Sequence, residues 1–136
     1  MNDLLRKDIL GHPMLFELSG PMVISKGTAR ELGQLPIDLA ALWEEFGGGE
    51  MFESETVFKP TGDASVVVIT NHALERGLAQ GHFVFHEGLC LSSWSCNTFY
   101  VFDSDSLTVL ATHSTLDSWY KETIRSEYAK RYGISD

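Results

Sequence analysis

The spacing of apolar and polar residues predicts helices at both ends of the chain. Apolar residues in segment 36–46 recur at steps of three and four, which places them on one side of a helix: Leu39, Leu42, Trp43 and Phe46. Pro36 suits the first helical position, and Gly47 can take the left-handed conformation that ends a helix. A second stripe predicts a closing helix over 115–131: Leu116, Trp119, Tyr120, Ile124 and Tyr128.

Two shorter helices are predicted over 3–10 and 28–32, the second capped by Thr28 and ended by Gly33. The middle of the chain changes to β-branched and aromatic runs that predict strands: 55–59, 66–70, 82–86, 89–94, 98–102 and 107–111. This order indicates one α+β domain, with a mostly antiparallel sheet flanked by N-terminal helices and a C-terminal helix.

The charge distribution restricts the class of partner. The chain carries 19 acidic and 10 basic residues, for a net charge of −9. Between residues 31 and 117 there are 13 Asp or Glu residues, and the only bases are Lys59 and Arg76. Such a surface repels phosphate backbones, so we expect no direct nucleic-acid binding, and it attracts basic proteins.

Several features favour a cytoplasmic protein without a membrane span. No run of 18 apolar residues occurs, and the N-terminus mixes charges with leucines, unlike a secretory signal. Cys90 and Cys96 match neither a common zinc spacing nor a redox pair. We interpret both as reduced thiols that are buried as small apolar residues.

The sequence contains only weak signals for a metal-binding or catalytic site. His82 and His86 belong to a predicted strand, where residues four apart lie about 13 Å from each other, too far to share a metal ion. We expect these histidines to face solvent or lie at an edge. A nucleophilic site could in principle combine some of the residues Cys90, Ser92, Ser93, His86 and Asp103. No nucleophile-elbow motif supports such a site. Gly47–Gly48–Gly49 follow a helix, whereas a phosphate loop precedes one.

We therefore expect no catalytic, cofactor-binding or metal-binding residue, and no cofactor. The remaining candidate is an acidic docking surface for a cationic protein, with plain solubility as the alternative. Its predicted members are Glu44, Glu45, Glu50, Glu53, Glu55 and Asp63, with Asp103 and Asp105 on a separate turn. Trp94 is a candidate interface anchor, because aromatic residues dominate binding hot spots, whereas Trp119 belongs to a core stripe.

The segment around the helix over 36–46 resembles the SUKH superfamily of small α+β domains. The residues that carry the resemblance are Glu31, Gly33, Leu35, Pro36, Gly47 and Gly48. The strands around 83–85 and 99–102 and the closing helix that begins at Leu116 also look like the family's sheet and last helix. The resemblance covers roughly residues 28–128, and residues 1–27 form an extension or a first helix.

The resemblance implies a non-enzymatic binding domain. Many family members are bacterial immunity proteins that neutralise cognate toxins, often nucleases or deaminases, and others are regulatory scaffolds. We therefore expect an immunity protein that covers a basic toxin; the alternative is a cytoplasmic scaffold without a toxin partner. An enzyme or small-ligand binder is a third hypothesis, which would require a deep pocket with convergent titratable groups.

Overall fold

An antiparallel sheet forms the centre of the computed structural model, which describes residues 2–134. Its strands are β1 (Phe16–Leu18), β2 (Gly49–Met51), β3 (Glu55–Val57), β4 (Phe83–Glu87), β5 (Leu91–Ser95), β6 (Thr98–Phe102) and β7 (Val109–His113). They lie side by side in chain order, and each neighbouring pair is antiparallel. The expected α+β class and antiparallel sheet are confirmed.

Helices precede, interrupt and follow the sheet. They are α1 (Asp3–Gly11), α2 (Lys26–Glu31), α3 (Ile37–Phe46), α4 (Val66–Glu75), α5 (Leu116–Trp119) and α6 (Ser126–Tyr132). A π-helical segment, Tyr120–Arg125, joins α5 to α6, so the predicted closing helix is continuous in backbone conformation. Ser25 caps α2 by accepting the Thr28 N–H, in place of the cap predicted at Thr28.

The predicted strand over 66–70 is wrong, because these residues begin helix α4. The buried positions of α4 are Val66, Thr70 and Ala73, which follow helical spacing, and the side chain of Thr70 accepts the N–H of Val84 on β4. β-Branched residues favour strands through their packing context more than through the backbone. No residue of β3 pairs with Val84 of β4, and helix α4 packs beside β4 at this position.

The N-terminal extension is part of the same core. Leu5 and Ile9 of α1 and Phe16 of β1 belong to one cluster with the buried residues of the sheet and the C-terminal helix. The carboxylate of Asp117 accepts the N–H groups of Leu4 and Leu5. This distant carboxylate satisfies free donors in the first turn of α1, which ties that helix to α5.

A second polar contact holds α1 against the π-helical segment. The buried Asp8 carboxylate accepts hydrogen bonds from Arg125 Nε at 2.7 Å and from the Tyr120 hydroxyl at 2.5 Å. Burial and the neighbouring Asp8 raise the pKa of Tyr120. The hydroxyl therefore remains a donor at any ordinary pH.

Helix α3 begins one residue later than predicted, with Pro36 as its N-cap, and ends at Gly47. Gly47 has φ 80° and ψ −157°, which is a region that only glycine adopts readily, and not the left-handed helical conformation that we expected. A Cβ there would overlap the Ser19 side chain and the Gly20 carbonyl. The glycine therefore lets the chain leave α3 in close contact with the segment after β1.

Aromatic rings fill one face of the sheet. Trp94 packs against Phe83, Phe85 and the ring of Trp43 from α3. Phe85 also contacts Trp119 of the C-terminal helix, at a centroid distance of 4.9 Å. Helix α3 and the C-terminal helix thus cover the same face, which we call the core face.

Candidate functional site

A buried hydrogen-bond network lies on the core face of β3, β4 and β5. The Glu55 carboxylate is 2.8 Å from His86 Nε2 and accepts the Tyr128 hydroxyl at 2.7 Å. His86 Nδ1 is 2.8 Å from Ser92 Oγ, which accepts the Trp119 indole N–H at 2.9 Å. A histidine protonated on Nε2 satisfies this network, because Nε2–H donates to Glu55 while Ser92 donates to Nδ1.

Electrostatics within this network favour the Glu55 carboxylate. Burial raises its pKa, but the hydrogen bonds from His86, the Tyr128 hydroxyl and the Leu89 N–H, together with electrostatic attraction to the His86 ring, outweigh burial and leave the pKa below its usual value. Burial and the nearby Glu55 raise the pKa of the Cys90 thiol to about 11. Cys90 is therefore a protonated, inert thiol at neutral pH.

Glu55, His86 and Ser92 are hydrogen-bonded in the same order as the acid, base and nucleophile of a catalytic triad. Unlike the residues of an active site, they are buried. Ser92, Glu55 and His86 are between 0% and 1% exposed, and the Ser92 oxygen is already bonded to Trp119. Gly88 lies against the Glu55 carboxylate, where even a Cβ would overlap it. No substrate can reach Ser92 in this conformation, so we interpret the network as a hydrogen-bonded part of the core.

The exposure of four side chains differs from what the sequence predicted. Glu55 is not on an acidic surface, because its β3 position points into the core. His86 does not face solvent, since it bonds to Glu55 in that interior. Trp94 is 1% exposed and stacks on Phe83, so it presents no anchor at the surface. Cys96 is exposed in the β5–β6 turn, where it has a positive φ of 48°.

A row of carboxylates occupies the opposite face of β1–β4. Strand register places Glu17 opposite Glu50, Glu50 opposite Thr56, and Thr56 opposite Glu87. Directly opposite residues share a side of the sheet, and all three glutamates are exposed. We call Glu17, Glu50 and Glu87 the acidic row. Among residues 2–134, no Lys or Arg forms an ion pair with any of them.

The geometry of the acidic row concentrates negative charge. Opposed side chains on adjacent strands have Cβ atoms about 5 Å apart, so the Glu17 and Glu50 carboxylates repel each other. Glu87 lies two strands beyond Glu50, at roughly 10 Å. Glu53 is also exposed, on the turn that joins β2 to β3.

The other predicted acidic residues do not join this row. Glu44 and Glu45 are exposed on α3, which packs on the core face, and Glu45 bonds to Arg6 at 2.7 Å. Asp63 is exposed in the loop before α4, and Asp105 is exposed in the β6–β7 turn. Asp103 lies in the same turn, where its side chain accepts the N–H groups of Asp105 and Ser106. These bonds lower the Asp103 pKa and give it a structural role.

Sequence reasoning missed Glu17 and Glu87. The triplet Phe16–Glu17–Leu18 alternates apolar, polar and apolar, which is the signal of a half-buried strand. Three alternating residues are too few to predict a strand within the segment 14–24, whose pattern is otherwise ambiguous. Glu87 follows directly after His86 in β4, and alternation would place the two on opposite faces.

The surface grooves are shallow. One groove, with a volume of about 410 Å³, runs beside the acidic row, and Glu17, Thr56 and Lys59 are among its lining residues. Within residues 2–134, no group of three or more His, Cys, Asp or Glu side chains is placed to hold a metal ion. No helix in this part of the chain is long and apolar enough to cross a membrane.

Comparison with protein-family models, with curated proteins and with solved structures finds no match to this chain.

Proposed function

We propose that this protein is a non-enzymatic inhibitor of the immunity-protein type, which neutralises a cognate basic protein toxin by covering its cationic surface. The observation that carries the proposal is the acidic row, three exposed carboxylates on one side of strands β1–β4 without a basic partner in the described chain. The resemblance of the chain to the SUKH superfamily supports the same class of protein, a non-enzymatic inhibitor.

The acidic row destabilises the folded sheet. Like charges directly opposite each other on neighbouring strands destabilise a sheet, by up to about 1 kcal/mol for a pair. Solubility alone does not require Glu17 and Glu50 to face each other, because a net charge of −9 is already large. A lysine- or arginine-rich partner surface would relieve this repulsion in the complex.

The charge also suits rapid capture of a toxin. A nuclease or deaminase that binds nucleic acid carries a basic cleft, and complementary fields raise association rates towards about 10⁸–10⁹ M⁻¹s⁻¹ at low salt. Exposed charges are screened over about 8 Å at physiological ionic strength. Association through the acidic row should therefore slow markedly as salt is raised.

The test measures binding to the catalytic domain of a toxin encoded beside this gene, by stopped-flow and calorimetry. We expect the triple variant Glu17→Lys, Glu50→Lys, Glu87→Lys to associate at least about tenfold more slowly, with most of the salt dependence lost. The matched control reverses three exposed acids elsewhere: Glu44→Lys, Asp63→Lys and Glu127→Lys.

The two variants have the same net charge, so the comparison isolates position from total charge. Equal loss of binding in both would contradict a localised docking face. If the wild-type protein neither binds nor inhibits any toxin encoded nearby, the immunity proposal itself is wrong.

A further inference from the structure

The two edges of the sheet differ in how they are protected against pairing. Edge strand β1 has three residues, and its centre carries the charged side chain of Glu17. Edge strand β7 has five residues, Val109–His113, without an Asp, Glu, Lys, Arg or Pro. Short length, charge, proline and β-bulges are the usual devices that stop an edge strand from pairing with another chain, and of these β7 has only a bulge, at Leu110.

Strand β7 also exposes apolar side chains. Val109 is 54% exposed and Leu110 is 60% exposed, and Thr112 is exposed as well. Burial lowers the pKa of His113, so the strand carries no formal charge at neutral pH. Within the described chain, β7 pairs only with β6, which leaves the backbone groups of its other side without a strand partner.

Leu110 forms a β-bulge in this strand. Ala111 pairs with Val101 and Val109 pairs with Phe102, so Leu110 has no partner on β6. The bulge shortens the regular part of the edge and limits the strength of any pairing across it. Replacing Leu110 therefore changes a residue that is outside the β6–β7 ladder register.

We propose that β7 pairs antiparallel with β7 of a second copy of this chain, and that the two sheets become one continuous sheet. A two-fold axis near Ala111 makes this edge its own complement, since each strand supplies to the other the same backbone donors and acceptors. An uncharged strand places no like charges opposite each other in such a pair.

The acidic rows do not oppose this arrangement. Glu87 on β4 is the member of the row nearest to β7, and three strand spacings separate the two strands. In the paired sheet, seven spacings of about 4.8 Å place the Glu87 residues of the two copies roughly 34 Å apart. That distance exceeds the Debye length of about 8 Å at physiological ionic strength several-fold. The two rows would lie towards opposite ends of the joined sheet.

The test is a concentration series of the full chain by sedimentation equilibrium. An edge-to-edge contact falls below about 1,200 Å² and gives a weak complex, so we expect the mean mass to rise from monomer towards dimer between about 10 µM and 1 mM. Leu110→Lys and Thr112→Lys, each placing a charge on the exposed edge, should each raise the dimer dissociation constant at least about tenfold.

The matched control is Val23→Lys, which makes the same kind of change at a side chain that is 93% exposed in the segment between β1 and α2. This variant should dimerise like the wild type. Hydrogen exchange of the β7 amides should slow at high concentration in the wild type and in Val23→Lys only. A monomer at all concentrations up to 1 mM, or equal weakening by Val23→Lys, would overturn the proposal.

Discussion

Replacing Glu55 by glutamine tests whether this residue is a structural part of the core. At pH 7 the carboxylate accepts hydrogen bonds from His86 and Tyr128, and Leu89 donates its N–H from 3.2 Å. Glutamine keeps one acceptor oxygen, and the Tyr128 hydroxyl can turn to accept from the new amide. The main loss is one charge-assisted bond, so we expect destabilisation of about 2–3 kcal/mol.

Urea unfolding at pH 7 measures this loss, and Glu53→Gln is its matched control. Glu53 is exposed two residues away, so the same substitution there should change the free energy of unfolding by less than about 0.5 kcal/mol. Domains of this kind are stable by about 5–15 kcal/mol, and the Glu55→Gln variant should therefore remain folded at 25 °C.

The pH dependence gives a second, independent readout. The folded-state pKa of Glu55 is lowered, so its carboxylate stabilises the fold above the unfolded-state value of about 4.3 and loses that effect as pH falls through the folded-state value. The stability difference between wild type and Glu55→Gln should shrink over that acidic range. Equal stability of the two proteins at pH 7, or a difference that does not change in acid, would refute the network described here.

Three further predictions follow from single contacts. Glu50→Lys should raise the free energy of unfolding by a few tenths of a kcal/mol up to about 1, because it replaces repulsion from Glu17 by attraction, and urea unfolding at low salt checks this; a loss of stability would contradict the register. Gly47→Ala should cost more than about 2 kcal/mol in the same assay, since its backbone region is closed to alanine and its Cβ would overlap Ser19 and Gly20; a near-neutral change would show that the turn is wrongly placed. A thiol reagent should label Cys96 quickly and Cys90 only after unfolding, because the Cys90 pKa is raised to about 11 and its side chain is buried; mass spectrometry of the labelled peptides distinguishes the two, and equal rates would contradict that burial.

Much of the fold could be predicted because helical stripes and β-rich runs are local signals. The stripe of α3 and the closing helix match the buried residues Trp43, Trp119 and Tyr128. The run 66–70 misled the prediction because β-branched residues are compatible with a helix that packs well. Thr70 and Ala73 continue the spacing of Val66 into the following residues, and that longer window contains the helical signal.

The candidate site was harder to predict, because charge alone does not specify which way a side chain points. Glu55 and Val57 lie two residues apart on β3 and therefore share its inward side. The apolar character of Val57 is thus the local signal that Glu55 is buried. The partners that make burial tolerable, His86 and Tyr128, are 31 and 73 residues distant in the chain. Their contact depends on the tertiary fold, which no local pattern in one sequence encodes.

Alternation within one hairpin places two glutamates on opposite faces of the sheet. Glu50 of β2 lies opposite Thr56, which faces outward, whereas Glu55 of β3 lies opposite Met51, which is buried. Two glutamates five positions apart therefore serve opposite faces of the same pair of strands. If the proposed function is correct, Glu50→Lys weakens toxin binding without loss of stability, and Glu55→Gln weakens the fold without changing the affinity of the molecules that remain folded. Finding both effects in one variant would mean that the two faces are coupled, and the docking surface would then have to include the buried network.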